Sequence, residues 1–148
     1  MLRKLFVALT FASLTTACAS AQNGRGVMGV WREPGGSVLD VHSCGNDVCV
    51  KLMALPPNAP TTRDGNNPNP AQRSRSLCDL QVGWGFHLSD PDHGAGGYIY
   101  DPRTGHSYRG SLTAEGDHLQ LRGWAGFKIF GRTETWTRLE HAPPTCGS

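Results

Sequence analysis

The sequence lacks an apolar run long enough to cross a membrane as a helix. Its most apolar stretch, residues 5–14 (LFVALTFASL), is ten residues long, whereas a helix that spans the hydrocarbon core needs about 20 residues. No later segment is longer or more apolar. We therefore expect no transmembrane segment and a soluble mature protein.

Lysine is scarce, and so is any excess of positive charge. Lys4, Lys51 and Lys128 are the only lysines, and the 14 basic residues face 12 acidic ones. Loss of a leader that carries Arg3 and Lys4 would bring the formal charge of the remaining chain to zero. A neutral chain has no basic field for the phosphate backbone, so we expect no nucleic-acid partner.

Recognisable catalytic motifs are also missing. The six histidines are scattered, and the sequence has no Gly-x-Ser-x-Gly, no His-Glu-x-x-His and no phosphate-binding loop. His42 with Cys44 and Cys49 could hold zinc, but no second ligand pair at zinc spacing accompanies them. We predict no enzyme, no metal and no cofactor, with an acid–base pair such as Asp101 and His106 as the hydrolase alternative.

The N-terminus has the features of a secretory leader. Arg3 and Lys4 precede the apolar stretch, and residues 17–21 (ACASA) contain two overlapping small-x-small cleavage sites. Cleavage after Ala21 would give a signal peptide over 1–21, a single domain over 22–148 and a periplasmic or secreted protein. The alternative is Cys18 as a lipoprotein acceptor, which would add a lipid anchor.

Four cysteines follow the leader: Cys44, Cys49, Cys78 and Cys146. An even number of cysteines in an oxidising compartment indicates disulfides, and three pairings are open. A turn-forming segment, Gly45-Asn46-Asp47, separates Cys44 from Cys49, so a hairpin would bring these two together. We favour that pair, and Cys78 with Cys146 would then attach the C-terminal tail to the domain.

Apolar residues alternate with polar ones along most of the mature chain. The clearest case covers residues 80–88, where Leu80, Val82, Trp84, Phe86 and Leu88 recur at every second position. No stretch after the leader has helical periodicity. Turn residues divide the chain into eight predicted strands, near 27–33, 37–43, 47–55, 77–88, 95–101, 106–113, 118–124 and 132–139. The fold class predicted is all-β, an eight-stranded antiparallel up-and-down barrel.

Two predicted connections are unusual. Residues 56–76 form a long loop rich in proline and asparagine, and residues 125–131 (AGFKIFG) are apolar where a turn is ordinarily polar. In a meander, alternate loops lie at the same end, so 34–36, 56–76, 101–105 and 125–131 should form one rim. The interior of such a barrel is either filled by side chains or holds one small ligand.

Short motifs in a fixed order run through nearly the whole mature chain. They are Gly29-Val30-Trp31, Cys44 to Cys49, Asp64 with Asn67-Pro68-Asn69-Pro70, Arg73-x-Arg75, Gly97-Tyr98-Ile99-Tyr100-Asp101-Pro102, Gly105-x-x-Tyr108, Leu119-x-x-Arg122-Gly123, and Gly131-Arg132-Thr133 followed by Thr135-Trp136-Thr137-Arg138. This set resembles the bacterial "domain of unknown function 2147" family. The resemblance implies a secreted or periplasmic protein with a lipocalin-like barrel and no established enzymatic activity.

The two ends of the barrel sequence are similar to those of lipocalin-type (calycin-like) barrels. Gly29-x-Trp31 opens the first strand and Arg138 closes the last. In lipocalin-type barrels a tryptophan in the first strand fills the closed end of the barrel, and an arginine late in the sequence covers it. In a meander the eighth strand ends where the first begins, which would bring Arg138 to Trp31. A guanidinium over an indole would gain cation–π attraction, so we favour a structural role for both residues over ligand contact.

Six other residues are candidates for ligand binding. Four aromatic residues alternate on adjacent strands and are predicted to point inward, where they would line a pocket or fill the core: Trp84, Phe86, Tyr98 and Tyr100. Two arginines, Arg73 and Arg75, would flank the mouth. They could bind an anionic headgroup, or instead pair with Asp64 or Asp79 and brace the long loop.

These observations lead to two functional hypotheses. The first is an exported, non-enzymatic barrel protein that binds a small hydrophobic or amphipathic ligand. The alternative is a cell-envelope interaction module with a packed barrel, which docks through the apolar loop 125–131. The state of the barrel interior, hollow or filled, distinguishes them.

Overall fold

A computed structural model describes residues 25–144 and residue 146. The predicted signal peptide, including Cys18 and the cleavage site, lies outside these described residues. Over the range that is described, no helix has the length and apolar character needed to span a membrane.

Residues 25–144 contain eight strands that close into an antiparallel barrel. The strands are β1 (Gly29–Arg32), β2 (Val38–Cys44), β3 (Asp47–Ala54), β4 (Gln81–Asp90), β5 (His93–Asp101), β6 (His106–Glu115), β7 (His118–Trp124) and β8 (Arg132–Arg138). Each strand pairs with the next in sequence, and β8 returns to β1, with Trp31 opposite Arg138. The predicted up-and-down barrel is therefore confirmed.

Strand β4 begins at Gln81, later than the residue 77 predicted from periodicity. Asp79 has a φ of 60°, a left-handed conformation that interrupts extended backbone. The Asp79 N–H donates to the carbonyl of Leu52, and the Leu80 N–H donates to that of Leu77. Residues 77–80 therefore form a turn against β3 before the strand starts.

The end of the barrel at which β1 starts is packed solid. Side chains that are at most 2% exposed fill it: Val27, Trp31, Val41, Val48, Val50, Phe86, Leu112 and Leu119. Apart from Val27, which precedes β1, they come from the inward positions of several strands, so their packing joins elements that are far apart in sequence. The N-terminal segment closes this end, where the Val27 N–H donates to the carbonyl of Pro91 and the Trp31 indole donates to the carbonyl of Val27.

Two disulfides join the four described cysteines in the predicted pairing. Cys44–Cys49 spans the β2–β3 hairpin, and Cys78–Cys146 attaches the C-terminal tail to the segment that precedes β4. The Cys146 N–H also donates to the carbonyl of Met53 in β3. These bonds are consistent with a protein that resides outside the cytoplasm.

Candidate ligand cavity

A cavity of about 710 Å³ occupies the other half of the barrel and opens at its rim. Its wall is mainly apolar and aromatic: Leu39, Leu52, Leu55, Leu77, Val82, Ile99, Tyr100, Tyr108, Leu121, Trp124 and Trp136. The mouth is formed by residues next to or within four connections, as the meander predicts: Glu33 and Ser37, Leu55 and Leu77, Pro102 to Thr104, and Ala125 with Phe130. The volume lies in the range of small-molecule sites.

Phe86 lies in the packed half and is not among the residues that line the cavity. Two glycines on neighbouring strands make room for its ring. A Cβ atom at Gly97 would lie 2.5 Å from ring carbons of Phe86, and one at Gly110 would lie 3.1 Å away. Phe86 is therefore a core residue, which corrects its prediction as a ligand contact.

Trp84 and Tyr98 lie on the outer wall of the barrel. They are 37% and 38% exposed, and their stacked rings have centroids 5.9 Å apart. The prediction that they point inward is wrong. In β4 the alternation is broken at Gly85, whose φ is 72°.

The register of the neighbouring strands shows this break. Val50 pairs with Gly83 and Val48 pairs with Phe86, so β4 contains one residue more than β3 between these pairs, as at a β-bulge. Gly83 and Phe86 consequently face inward while Trp84 faces outward. On β5, Ile99 and not Tyr98 borders the cavity, and the tyrosine belongs to the opposite face.

Tyr100 shares the outward phase of Tyr98 but is buried, because the long loop covers it. Its hydroxyl donates to Asp64 Oδ1 at 2.6 Å, and Asn67 Nδ2 donates to Asp64 Oδ2 at 2.8 Å. Burial together with the hydrogen bond to Asp64 raises the pKa of Tyr100 to about 12. The phenol thus remains a protonated donor, and Tyr100 borders both the cavity and the space under the loop.

Asp64 is completely buried and joins the loop to the barrel. Arg75 contacts Asp64 Oδ2 through Nε and through Nη2, each at 2.8 Å. Burial by itself would raise the pKa of Asp64, but the hydrogen bonds from Tyr100, Asn67 and Arg75 outweigh it and hold the pKa below its ordinary value. The carboxylate is therefore charged and fully partnered.

The two arginines of the long loop do not reach the cavity. Arg75 pairs with Asp64, Arg73 Nε donates to the carbonyl of Asn67 at 2.8 Å, and Asp79 pairs instead with Lys51 at 3.5 Å. No residue of 56–76 is among those that line the cavity. The bracing alternative fits this geometry, and the placement of Arg73 and Arg75 at the mouth is wrong.

The charged groups at the mouth come from other positions. Arg103 Nε lies 3.0 Å from Asp101 Oδ1, and Arg103 Nη2 lies 3.6 Å from Glu134 Oε1. The hydrogen bond to Asp101 raises the pKa of Arg103. Arg132 also borders the cavity, and no carboxylate among the described residues forms an ion pair with it. Arg132 is thus the available cation at the entrance.

The inward positions of β2, β3 and β7 supply cavity residues that the sequence analysis did not single out, among them Leu39, Leu52 and Leu121. Their alternation along each strand was a sufficient signal. Arg132 carried no such signal, because its position at the mouth depends on the barrel closing. In the described part of the chain no cluster of three or more His, Cys, Asp or Glu could hold a metal ion.

Comparison with solved structures supports the fold. The chain is similar to a Helicobacter pylori protein described as "Protein HP1028 from the human pathogen Helicobacter pylori belongs to the lipocalin family". The TM-score is 0.71 and the identity 18%, over 77% of this chain and 83% of the other. At this identity the likeness concerns the lipocalin-like fold alone. A search of curated proteins gave no match.

Comparison with family models assigns the chain. The model described as "Uncharacterized protein conserved in bacteria (DUF2147)" matches residues 29–138. This span begins at the first residue of β1 and ends at the last residue of β8, so it covers the whole barrel. The chain therefore belongs to the DUF2147 family of bacterial proteins.

Proposed function

We propose that this protein is exported and binds one small amphipathic molecule in the open half of the barrel. The observation that carries the proposal is the cavity of about 710 Å³, with an apolar wall and an opening at one end only of the meander. An apolar tail that enters it would be removed from water by Leu39, Leu52 and Leu121, which is the main source of affinity in such sites. The protein acts as a carrier or scavenger and catalyses no reaction.

The mouth of the cavity supports a more specific ligand class. Arg132 is exposed and has no ion-pair partner among the described residues, whereas Arg103 is already paired with Asp101 and Glu134. A guanidinium suits a carboxylate or phosphate, which it binds with two parallel hydrogen bonds. The ligand proposed is therefore an acyl or similar chain with an anionic head that lies against Arg132.

Gly123 provides a direct way to test occupancy of the cavity. Gly123 lines the cavity, and a Cβ at this position would make only ordinary contacts, 3.7 Å to Tyr108 and 3.9 Å to Ile99, so the side chain of Gly123→Leu should occupy part of the cavity. We expect titration with a fluorescent fatty acid to show saturable binding by the wild-type chain and at least tenfold weaker binding by Gly123→Leu.

The matched control is Gly65→Leu, at a loop position where a Cβ meets nothing within 4 Å. It should bind the probe like the wild-type chain. Equal binding by all three proteins would place the probe outside the cavity, and absence of binding by the wild-type chain would refute the function.

The headgroup assignment has its own test. Arg132→Gln should weaken binding of a fatty acid by about tenfold, since a charge-assisted pair contributes about 1.5 kcal/mol or more. Binding of the corresponding fatty alcohol should stay the same. An equal loss for both ligands would mean that Arg132 acts through the shape of the mouth.

The packed-barrel alternative has less support. It requires a filled interior, and the cavity argues against that. Its other element, the exposed apolar loop 125–131, does not require a filled interior.

A further inference from the structure

The loop 125–131 exposes the most apolar surface of the described chain. Phe127, Ile129 and Phe130 are 77%, 79% and 79% exposed, whereas the next most exposed large apolar side chain, Leu88, is 39% exposed. Exposure of this kind marks an interaction surface.

The loop is held in this conformation by hydrogen bonds. Residues 128–130 form a 3₁₀ turn, and Arg122 of β7 donates to the carbonyl of Lys128 at 2.8 Å and to that of Ile129 at 3.4 Å. The Lys128 ammonium lies 5.2 Å from the centroid of the Trp124 ring. The apolar side chains are thus presented outward by a braced turn.

The charged side chains of the loop and of the strand residues next to it are basic. Residues 122–132 contain Arg122, Lys128 and Arg132 and no aspartate or glutamate. The carboxylates of Asp101 and Glu134 at the same mouth are paired with Arg103. Apolar side chains bordered by basic ones are the pattern of a segment that inserts shallowly into an anionic lipid surface.

The size of the surface favours lipid over a protein partner. Three side chains of this kind expose on the order of 400 Å², about half of what each partner contributes to a stable protein complex. A bilayer interface needs no complementary shape and accepts such a small convex tip.

We propose that the loop 125–131 docks the barrel on the surface of an anionic lipid bilayer, so that the ligand passes directly between the bilayer and the cavity. Phe130 connects the docking loop to the cavity, because its side chain is exposed and also lines the mouth. Arg132, at the same mouth, would meet the anionic head of an amphiphile as it leaves the lipid. This inference rests on the proposed function for the transfer step, but not for the docking surface.

The test is co-sedimentation of the purified chain with vesicles of phosphatidylcholine containing about one third phosphatidylglycerol. We expect the wild-type chain to sediment with them, and the double variant Phe127→Ser/Ile129→Ser, which changes two exposed side chains that do not line the cavity, to bind at least tenfold more weakly. Lys128→Gln should reduce binding about fivefold, since one basic residue near such a surface contributes about 1 kcal/mol. Binding to pure phosphatidylcholine should be weaker for the wild-type chain.

The matched control is Leu88→Ser, which removes an exposed leucine from the end of β4 farthest from the rim. It should sediment like the wild-type chain, and urea unfolding should show that all variants fold. The proposal is refuted if the wild-type chain sediments with neither kind of vesicle, or if the double variant binds the anionic vesicles as well as the wild-type chain does. It is also refuted if sizing shows that the loop instead holds two copies together.

Binding of a water-soluble fluorescent fatty acid distinguishes this proposal from the cavity function. The double variant should bind the soluble probe like the wild-type chain. A wild-type chain that binds the probe but not vesicles would refute docking and leave the cavity function. One that binds vesicles but not the probe would refute the cavity function, and the transfer step with it.

Discussion

The guanidinium of Arg138 lies over the ring of Trp31, 4.0 Å from its centroid, at the closed end of the barrel. It donates to the carbonyls of Met28 at 2.9 Å and Gly26 at 2.6 Å. A Cβ at Gly29 would lie 2.9 Å from Arg138 Nη1, so the glycine makes space for the guanidinium. One side chain thus ties the last strand to the segment that leads into the first.

Arg138→Lys should lower the free energy of unfolding by about 2–4 kcal/mol. A lysine ammonium is not planar, so it cannot stack on the indole and donate to both the Gly26 and the Met28 carbonyl as the guanidinium does. An unpaired buried carbonyl costs about 1–3 kcal/mol. Urea unfolding followed by circular dichroism measures the change. Arg109→Lys, at an exposed position of β6, should change it by less than about 0.5 kcal/mol, and equal effects of the two substitutions would contradict this role.

The two disulfides should differ in their contribution to stability. They close segments with sequence separations of 5 for Cys44–Cys49 and 68 for Cys78–Cys146. If the effect comes mainly from the entropy of the unfolded chain, replacing both cysteines of a pair by serine should cost about 2 kcal/mol for the short segment and about 4 kcal/mol for the long one. Denaturant unfolding of the two double variants measures this order, and a reversed order would show that native-state contacts dominate.

Release of the long loop should follow the titration of Asp64. The pKa of Asp64 is lowered in the folded state, so its contribution is complete above the unfolded value of about 4 and is lost as the pH falls through the lower folded value. Hydrogen exchange at Leu77, whose N–H donates to the carbonyl of Thr62, should report the loss. The measured exchange rates are divided by the intrinsic rates of an unprotected amide at each pH, so that only the opening of the loop remains.

Asp64→Asn should have the same effect at neutral pH. Exchange at Leu77 should become about tenfold to a hundredfold faster, because charged hydrogen bonds contribute about 1.5–3 kcal/mol each. Asp79→Asn is the matched control, since Asp79 is exposed and asparagine tolerates its left-handed backbone. Unchanged exchange in Asp64→Asn would show that the loop is held by other contacts.

The strand order could be predicted from the sequence, because alternation identifies strands and a meander leaves little choice of pairing. The same reasoning placed the four loops of the rim together and brought Trp31 to Arg138. It failed where glycines interrupt the alternation. Gly85 and Gly96, with φ of 72° and 77°, lie where β4 and β5 shift register, and nothing in a two-residue repeat shows on which side such a shift leaves the aromatic residues.

The buried loop network could not be predicted in full either. The sequence indicates Asp64 as a partner for Arg73 or Arg75, but the burial of Asp64 depends on the loop folding back over Tyr100. That contact joins residues 36 apart in sequence, and local patterns do not specify it. The position of Arg132 at the mouth could not be predicted from local patterns either, because only closure of the barrel places it beside the cavity.

Trp84→Ser should leave binding of the fluorescent fatty acid within about twofold of the wild type. The side chain stacks on Tyr98 on the outer wall, away from the cavity, so its removal should cost about 1 kcal/mol of stability through the lost cross-strand pair. Titration and urea unfolding of the same variant measure both effects. A tenfold loss of affinity would contradict this placement and would mean that Trp84 and Tyr98 contact the ligand.

The location of a bound ligand tests the central claim most directly. In a methyl-labelled sample, intermolecular nuclear Overhauser effects from the chain of a bound fatty acid should reach the methyl groups of Leu39, Leu52 and Leu121, which line the cavity. They should disappear in Gly123→Leu. Contacts confined to the outer wall around Leu88, or none to the three cavity leucines at saturation, would contradict the claim that the open half of this barrel is its binding site.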